Sequence, residues 1–186
     1  MTNDIRLREE LCTYLPALES YNRASYIGIV LARTESKVEQ EYVLQSLGDR
    51  SADIRDEAYK VLSEMSLSPE QYQHIEELLR FKYSEMRINA INLLMKQPEA
   101  QLAASIRRLL SDKNAERRLA GLDMMKSIRN VDFLKDSYQK LLSTVREIQK
   151  PNAKEKILIE SLIGDGTEQS PTSNYTRENG FGLYDP

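Results

Sequence analysis

Three stretches of the chain share one pattern of apolar, charged and small residues. In each, a Leu is followed eight residues later by an Arg, then by an Ala after three residues and by a Leu or Met after four more. Spacings of three and four place these last residues on one face of an α-helix. The helix anchors in the three copies are Arg55 and Ala58, Arg87 and Ala90, and Arg117 and Ala120.

Each copy predicts a helical hairpin. A first helix ends near Leu47, Leu79 or Leu109, a short polar stretch follows, and Ser51, Ser84 and Asn114 are the predicted N-caps of the second helices. The clearest repeats span residues 41–66, 71–97 and 102–129. A hairpin of about 30 residues cannot bury its apolar stripe alone, so the hairpins are predicted to stack and share one core.

The flanking segments extend this pattern at both ends. Residues 5–18 and 21–33 predict an N-terminal hairpin, and amphipathic patterns over 132–148 and 152–163 predict two further helices. A weaker fourth copy consists of Leu142, Lys150, Ala153 and Ile157. The sequence therefore predicts an all-α domain over residues 1–163, an α–α superhelix of about four to five helical hairpins.

The composition changes at Gly164. Residues 164–186 hold 4 of the 7 Gly and 2 of the 6 Pro, which predicts an irregular or flexible C-terminal segment. The segment nevertheless carries Phe181, Leu183 and Tyr184 near its end. Either it folds back onto the helices or the chain is one region of a longer protein, and the second interpretation is favoured.

The residue counts argue against several kinds of chemistry. One Cys and one His exclude an internal disulfide and a zinc site built from Cys and His. Neither of the Gly-rich phosphate-binding motifs is present. Cys12 is predicted to be a small buried thiol, and His74 a surface or capping residue. No catalytic, cofactor-binding or metal-binding residue is predicted, and the protein is predicted not to be an enzyme.

The charge is unevenly distributed along the chain. The net charge of −3 hides a basic middle, because residues 71–150 hold 15 basic and 10 acidic residues, whereas residues 1–70 hold 8 and 13. The charged N-terminus is unlike a signal peptide, and no apolar run approaches the roughly 18 residues of a membrane span. These features predict a cytoplasmic protein with no membrane partner.

The three units resemble HEAT repeats, the helical hairpins of α-solenoid scaffolds. The matching features are a turn Asp (Asp49 and Asp112), the second-helix Arg and the Ala that follows it. The resemblance implies a ladder of turn Asp and helix Arg between repeats, although Tyr83 and Ser84 stand where the Asp of the middle unit would lie. A HEAT-like region followed by residues 179–186 also resembles part of some large, uncharacterised bacterial multidomain proteins.

The function predicted from these features is a non-catalytic protein-interaction scaffold or regulatory helical-repeat domain of a larger intracellular protein. Its candidate partner surface is a polar strip on the second helix of the middle unit, continued in the next unit. The residues of that surface are Asn89, Asn92, Lys96, Arg118 and Lys126. The sequence does not identify the protein partner.

The alternative function is a nucleic-acid-binding HEAT-like module that uses the basic third hairpin. The basic residues of that hairpin are Arg107, Arg108, Lys113, Arg117 and Arg118. The acidic pI of about 5.4 and the interleaved Asp112 and Glu116 weigh against it, because a surface that follows phosphates needs a consistent excess of positive charge.

Overall fold

A computed structural model of the chain describes residues 5–164, which form ten α-helices, two short 3-10 turns and no β-strand. The all-α prediction is confirmed for these residues, whereas the predicted irregular segment lies outside them from residue 165 onward. The helices are α1 Ile5–Tyr14, α2 Ser20–Val30, α3 Lys37–Ser46, α4 Ala52–Ser63, α5 Pro69–Leu78, α6 Ser84–Leu94, α7 Glu99–Leu110, α8 Ala115–Ile128, α9 Lys135–Arg146 and α10 Ala153–Ile163; the 3-10 turns are Leu15–Ala17 and Asp132–Leu134.

The helices lie in two rows. Each odd-numbered helix contacts the next odd-numbered one from α1 to α9, and each even-numbered helix contacts the next even-numbered one from α2 to α10. Consecutive helices pair as the hairpins α3–α4, α5–α6, α7–α8 and α9–α10. A single apolar core runs along both rows, so the stripe that one hairpin cannot bury is covered by its neighbours.

The second helices begin close to the predicted positions. Ser51 and Asn114 are N-caps as predicted, and the Asn114 side chain accepts hydrogen bonds from the first backbone N–H groups of α8. The prediction for α6 was wrong by one residue, because Tyr83 is its N-cap and Ser84 is its first helical residue. Tyr83 has no side-chain oxygen near the backbone, and no side-chain cap is formed there.

The third repeat sits one residue away from the register that the sequence alignment assigned to it. The Arg of α4 and the Arg of α6 lie four residues after their N-caps, and in α8 that position is Arg118 rather than Arg117. The small residue seven positions after the cap is likewise Gly121 rather than Ala120. The Leu, Arg and Met positions of the third repeat are each doubled in sequence, and Ala120 is followed by the smaller Gly121, so the two registers differ from the pattern only in this small residue.

The weaker fourth copy also lies further toward the C-terminus in the structure than the sequence alignment predicts. Lys150 precedes α10 and has a positive φ of 48°. The N-cap of α10 is Asn152, so the residue four positions after the cap is Lys156. The two predicted helices in this region are both present.

Gly121 of α8 packs tightly against α7. A Cβ atom at this position would lie 3.2 Å from the Leu109 Cβ and 3.1 Å from the Leu110 Cδ2. The Leu109 Cβ is fixed by the α7 backbone and cannot move without moving the helix. A side chain at position 121 would therefore force α7 and α8 apart by a few tenths of an ångström.

We expect Gly121→Ala to destabilise the protein by about 1 kcal/mol or more, because the overpacking outweighs the roughly 1 kcal/mol that Ala gains over Gly in helix propensity. Gly28→Ala in α2 is the matched control. Its new Cβ would meet only the Glu57 carboxylate, 2.6 Å away at the end of a flexible side chain, so the same exchange should be neutral or stabilising. Urea unfolding measures both free energies. Equal stabilisation by the two substitutions would contradict the close approach at Gly121.

Candidate partner-binding surface

One arginine on each of the helices α2, α4, α6 and α8 connects its hairpin to the next. All four lie four residues after the N-cap of their helix, and their side chains are largely shielded from solvent. Each guanidinium contacts an acidic side chain of the following hairpin. The pairs are Arg23–Asp49 at 2.7 Å, Arg55–Glu85 at 3.3 Å, Arg87–Asp123 at 2.6 Å and Arg118–Glu155 at 2.7 Å.

The Arg118–Glu155 pair is the most deeply buried of the four. The Glu155 side chain is fully buried, and its Oε1 accepts from the Arg118 Nε. Its other oxygen accepts from the Asn152 backbone N–H at 2.7 Å, so the same carboxylate caps the start of α10. The Arg118 Nη1 also donates to the backbone carbonyls of Asp112 and Lys113. One arginine thus joins a turn, a helix and a helix cap.

Buried carboxylates also lie along the odd-numbered helices. Glu76 on α5 is almost fully buried and receives two hydrogen bonds from the Arg108 guanidinium of α7, at 2.6 and 3.1 Å. These bonds raise the pKa of Arg108 above its ordinary value. Glu39 on α3 is fully buried beside Arg8 of α1, with 3.2 Å between the Arg8 Nε and the nearer carboxylate oxygen. Acid and arginine therefore meet between hairpins in both rows.

These ion pairs involve most of the predicted basic patch. Arg108 contacts Glu76, Arg117 contacts Asp112 at 2.9 Å, and Arg118 contacts Glu155. The other two basic residues of the patch, Arg107 and Lys113, are exposed, and neither forms a side-chain ion pair within residues 5–164. Three of the five positive charges of the third hairpin are thus neutralised by carboxylates of the same chain.

The five residues of the predicted partner surface do not all face solvent. Asn92 is exposed on α6, Lys96 is exposed two residues after the end of α6, and Lys126 is exposed on α8, the neighbouring helix of the even row. Asn89 is half-buried, and Arg118 is held by its buried ion pair. The Lys96 ammonium donates to a backbone carbonyl at the end of α4, 2.6 Å away. The exposed part of this surface therefore consists of Asn92, Lys126 and the outer side of Lys96.

A groove between α2 and α4 was not predicted from the sequence. Its volume is about 570 Å³, and α4 contributes Asp53, Asp56 and Glu57 to its wall. Two large apolar side chains of α2, Tyr21 and Ile29, border it and are 77% and 73% exposed. The signal available in the sequence was the presence of these two residues outside the apolar stripe of α2.

A match to a known family spans the whole chain. The family of unknown function DUF5724 matches residues 1–186. The chain belongs to DUF5724. No curated protein and no solved structure matches the chain significantly.

Three features of the DUF5724 chain bear on its function within the described residues, namely its metal-binding potential, its helix lengths and its single thiol. Within residues 5–164, no group of three or more His, Cys, Asp or Glu side chains is arranged to hold a metal ion, and no helix is long and apolar enough to cross a membrane. Cys12 is buried on α1, which agrees with the prediction of a small buried thiol. Burial, with the charges of Glu39 and Glu9, raises the pKa of Cys12 to about 11.

For this DUF5724 chain we expect Arg118→Met to lower the free energy of unfolding by about 3 kcal/mol, because it leaves the Glu155 carboxylate buried without its cation. Arg107→Met is the matched control. It removes an exposed arginine of the neighbouring helix and should change stability by less than about 0.5 kcal/mol. Urea unfolding followed by circular dichroism measures both. Similar losses in the two variants would show that the Arg118 pair has no structural role.

Because Cys12 is the single cysteine of the chain, thiol alkylation reports on it alone. At pH 8 we expect iodoacetamide to modify the folded protein about a hundredfold more slowly than the urea-unfolded chain. The thiolate is the reactive species, and the raised pKa of the buried Cys12 lowers the thiolate fraction in the folded protein. Raising the pH from 8 to 10 should accelerate the folded reaction steeply, because the thiolate fraction rises toward the folded pKa. Mass spectrometry follows the modification, and equal rates at pH 8 would contradict the burial of this thiol.

Proposed function

We propose that the chain is a HEAT-like solenoid that acts as a cytoplasmic protein-interaction scaffold or regulatory domain of a larger protein, with no catalytic activity of its own. The observation that carries the proposal is the arginine on each of α2, α4, α6 and α8 that contacts an acid of the following hairpin. A contact that recurs at equivalent positions in successive hairpins is typical of stacked repeats. The packing of odd helices on odd and even on even supports the same assignment.

The inter-hairpin ion pairs matter for binding because they hold neighbouring helices in fixed relative positions. A surface that is already ordered loses little conformational entropy when a partner binds. The even-numbered helices also expose large apolar side chains that are suited to be anchors for a protein partner. These exposed anchors are Tyr21 and Ile29 on α2, Ile88 on α6 and Ile157 on α10.

A protein partner accounts for these surfaces better than a nucleic acid does. Phosphate binding requires cations that are free to contact the backbone of the nucleic acid. Three of the five basic residues of the third hairpin already contact carboxylates. The groove between α2 and α4 carries three acidic side chains and one lysine, Lys60, which is paired with Glu57, so its net charge is negative and would repel phosphates.

The proposal predicts that the outer face of α6 and α8 is part of the partner interface. The double variant Asn92→Arg with Lys126→Glu changes two exposed residues. Neither side chain forms a hydrogen bond or an ion pair within residues 5–164. We expect it to lose at least about tenfold in affinity for the proteins that bind the intact chain, through steric and charge conflict. Affinity capture from cells with quantitative mass spectrometry identifies those proteins, and titration with each purified partner gives the affinity.

The matched control makes the same two chemical changes on the odd row. Gln139→Arg with Lys140→Glu lies on the exposed side of α9 and should leave partner binding unchanged. Circular dichroism confirms that both variants fold. Unchanged binding in the α6–α8 variant would remove this face from the interface. Tight binding of a duplex or a single strand at low salt would instead support the nucleic-acid function.

A further inference from the structure

A small pocket lies between the α3–α4 turn and the α5–α6 turn. The first turn and the start of α4 contribute Gly48, Asp49, Arg50 and Arg55 to its lining. The second turn and the start of α6 contribute Phe81, Tyr83 and Met86. Its volume is about 230 Å³, and most of its lining is apolar. Sites for whole small molecules usually measure about 300–1,000 Å³, so this pocket has the size for one large side chain.

The apolar wall of this pocket reflects the sequence of the α5–α6 turn. In the α3–α4 and α7–α8 turns, Asp49 and Asp112 each form an ion pair with an arginine. Residues 80–83 of the α5–α6 turn are Arg, Phe, Lys and Tyr, with no acid among them. Arg55 therefore pairs with Glu85 of α6, whose side chain is 70% exposed. An aromatic wall stands where the neighbouring turns place a carboxylate.

The two turns that form the pocket carry three exposed cations. Arg50 lines the pocket, and Arg80 and Lys82 flank its Phe81 along the chain; none of the three forms an ion pair with a described residue. Asp49, the acid that lines the pocket, contacts Arg23, and the lining Arg55 contacts Glu85. The charges that remain unpaired in these two turns are therefore positive.

The corresponding pocket between the α7–α8 turn and the end of α9 has different lining residues. It measures about 470 Å³, and its lining includes Asp112 and Glu147 as well as Lys113. It has no aromatic wall, and its charges are mixed. Both pockets have acids and bases in their lining, so the aromatic wall of Phe81 and Tyr83 is the feature that distinguishes the pocket at the α5–α6 turn.

We propose that this pocket binds one large apolar side chain of an acidic peptide segment in a partner protein, with the carboxylates beside that side chain contacting Arg50, Arg80 and Lys82. The inference rests on the proposed function in taking a protein as the partner, but it concerns a different surface from α6 and α8. The apolar side chain provides buried contact, and the flanking acids provide charge complementarity that selects the segment.

An acidic peptide fits the pocket better than a nucleic acid base does. The Arg80 guanidinium lies over the Phe81 ring, 4.8 Å from its centroid, so that face of the ring is already covered. Base stacking needs a free aromatic face, and tracking of a strand needs cations along a continuous groove. The three exposed cations instead lie in the two turns that form a single pocket.

The test uses the full chain and fluorescein-labelled peptides of defined sequence, measured by fluorescence anisotropy. The probe is Gly-Asp-Glu-Phe-Asp-Glu-Gly, and the reference peptides replace its Phe by Ala or its four acids by Lys. We expect the Ala peptide to bind at least about tenfold more weakly than the probe, and the Lys peptide not to bind. Addition of salt should weaken probe binding, because the three cations are exposed.

Two protein variants locate the binding site. Arg50→Glu with Lys82→Glu should weaken probe binding by at least about tenfold. Arg107→Glu with Lys113→Glu makes the same charge change at two exposed residues without ion pairs, one near the end of α7 and one in the α7–α8 turn, and should retain probe binding. Circular dichroism confirms that both variants are folded. A third variant, Tyr83→Ala, removes part of the pocket wall and should weaken the Phe probe more than the Ala peptide.

The proposal is overturned if the probe does not bind, if the Phe and Ala peptides bind equally, or if both charge variants lose binding to the same extent. Tighter binding of an oligothymidylate than of the probe would also overturn it. These outcomes differ from a failure of the proposed function. If the peptide fails while Asn92→Arg with Lys126→Glu still removes partners, only the pocket is excluded.

Discussion

The contact between an arginine of one hairpin and a carboxylate of the next is the constraint on which the arrangement of this protein depends. The apolar core supplies most of the favourable free energy, but apolar packing alone tolerates sliding of one helix along another. A guanidinium that donates to a carboxylate and to two turn carbonyls, as Arg118 does, permits one position of the next hairpin. Because burying such charges costs solvation, the pairs act mainly on geometry and add little net stability.

The same pairing determines which charges the surface presents. The chain has 26 basic residues, yet the arginines at equivalent helix positions are directed between hairpins rather than toward a ligand. A basic segment in sequence therefore does not become a basic surface. Among residues 5–164, the exposed cations without an ion pair include Arg80 and Lys82, in a turn without an acid, and Arg50 in the neighbouring turn, as well as Arg107 and Lys113 of the third hairpin. The α5–α6 turn, which departs from the repeat pattern, is thus also the turn that exposes aromatic side chains together with unpaired cations.

Much of the fold could be predicted from local patterns. Apolar periodicity indicated the helices, cap residues such as Asn114 indicated their starts, and the small residues on the second helices indicated close packing. The register of the third hairpin could not be predicted in this way. The hairpin fits the motif almost equally well in two registers one residue apart, because it contains Leu109 and Leu110, Arg117 and Arg118, and Ala120 and Gly121. The contact of Gly121 with α7 distinguishes the two registers. The contact of Arg118, a residue of the predicted partner surface, with Glu155 could not be predicted from local patterns, because Glu155 lies 37 residues away along the chain.

The sequence by itself determined that this chain forms helical hairpins rather than strands, and that one Cys and one His provide neither a disulfide nor a Cys/His zinc site. These properties follow from composition and from spacings of three and four residues, which act over a single helix. Only the tertiary structure decided the register of the third hairpin, the pairing of Glu39, Glu76 and Glu155 with arginines, and the pockets between turns. Those features depend on distances between hairpins, and such distances are set by packing of side chains that lie about 30 residues or more apart along the chain.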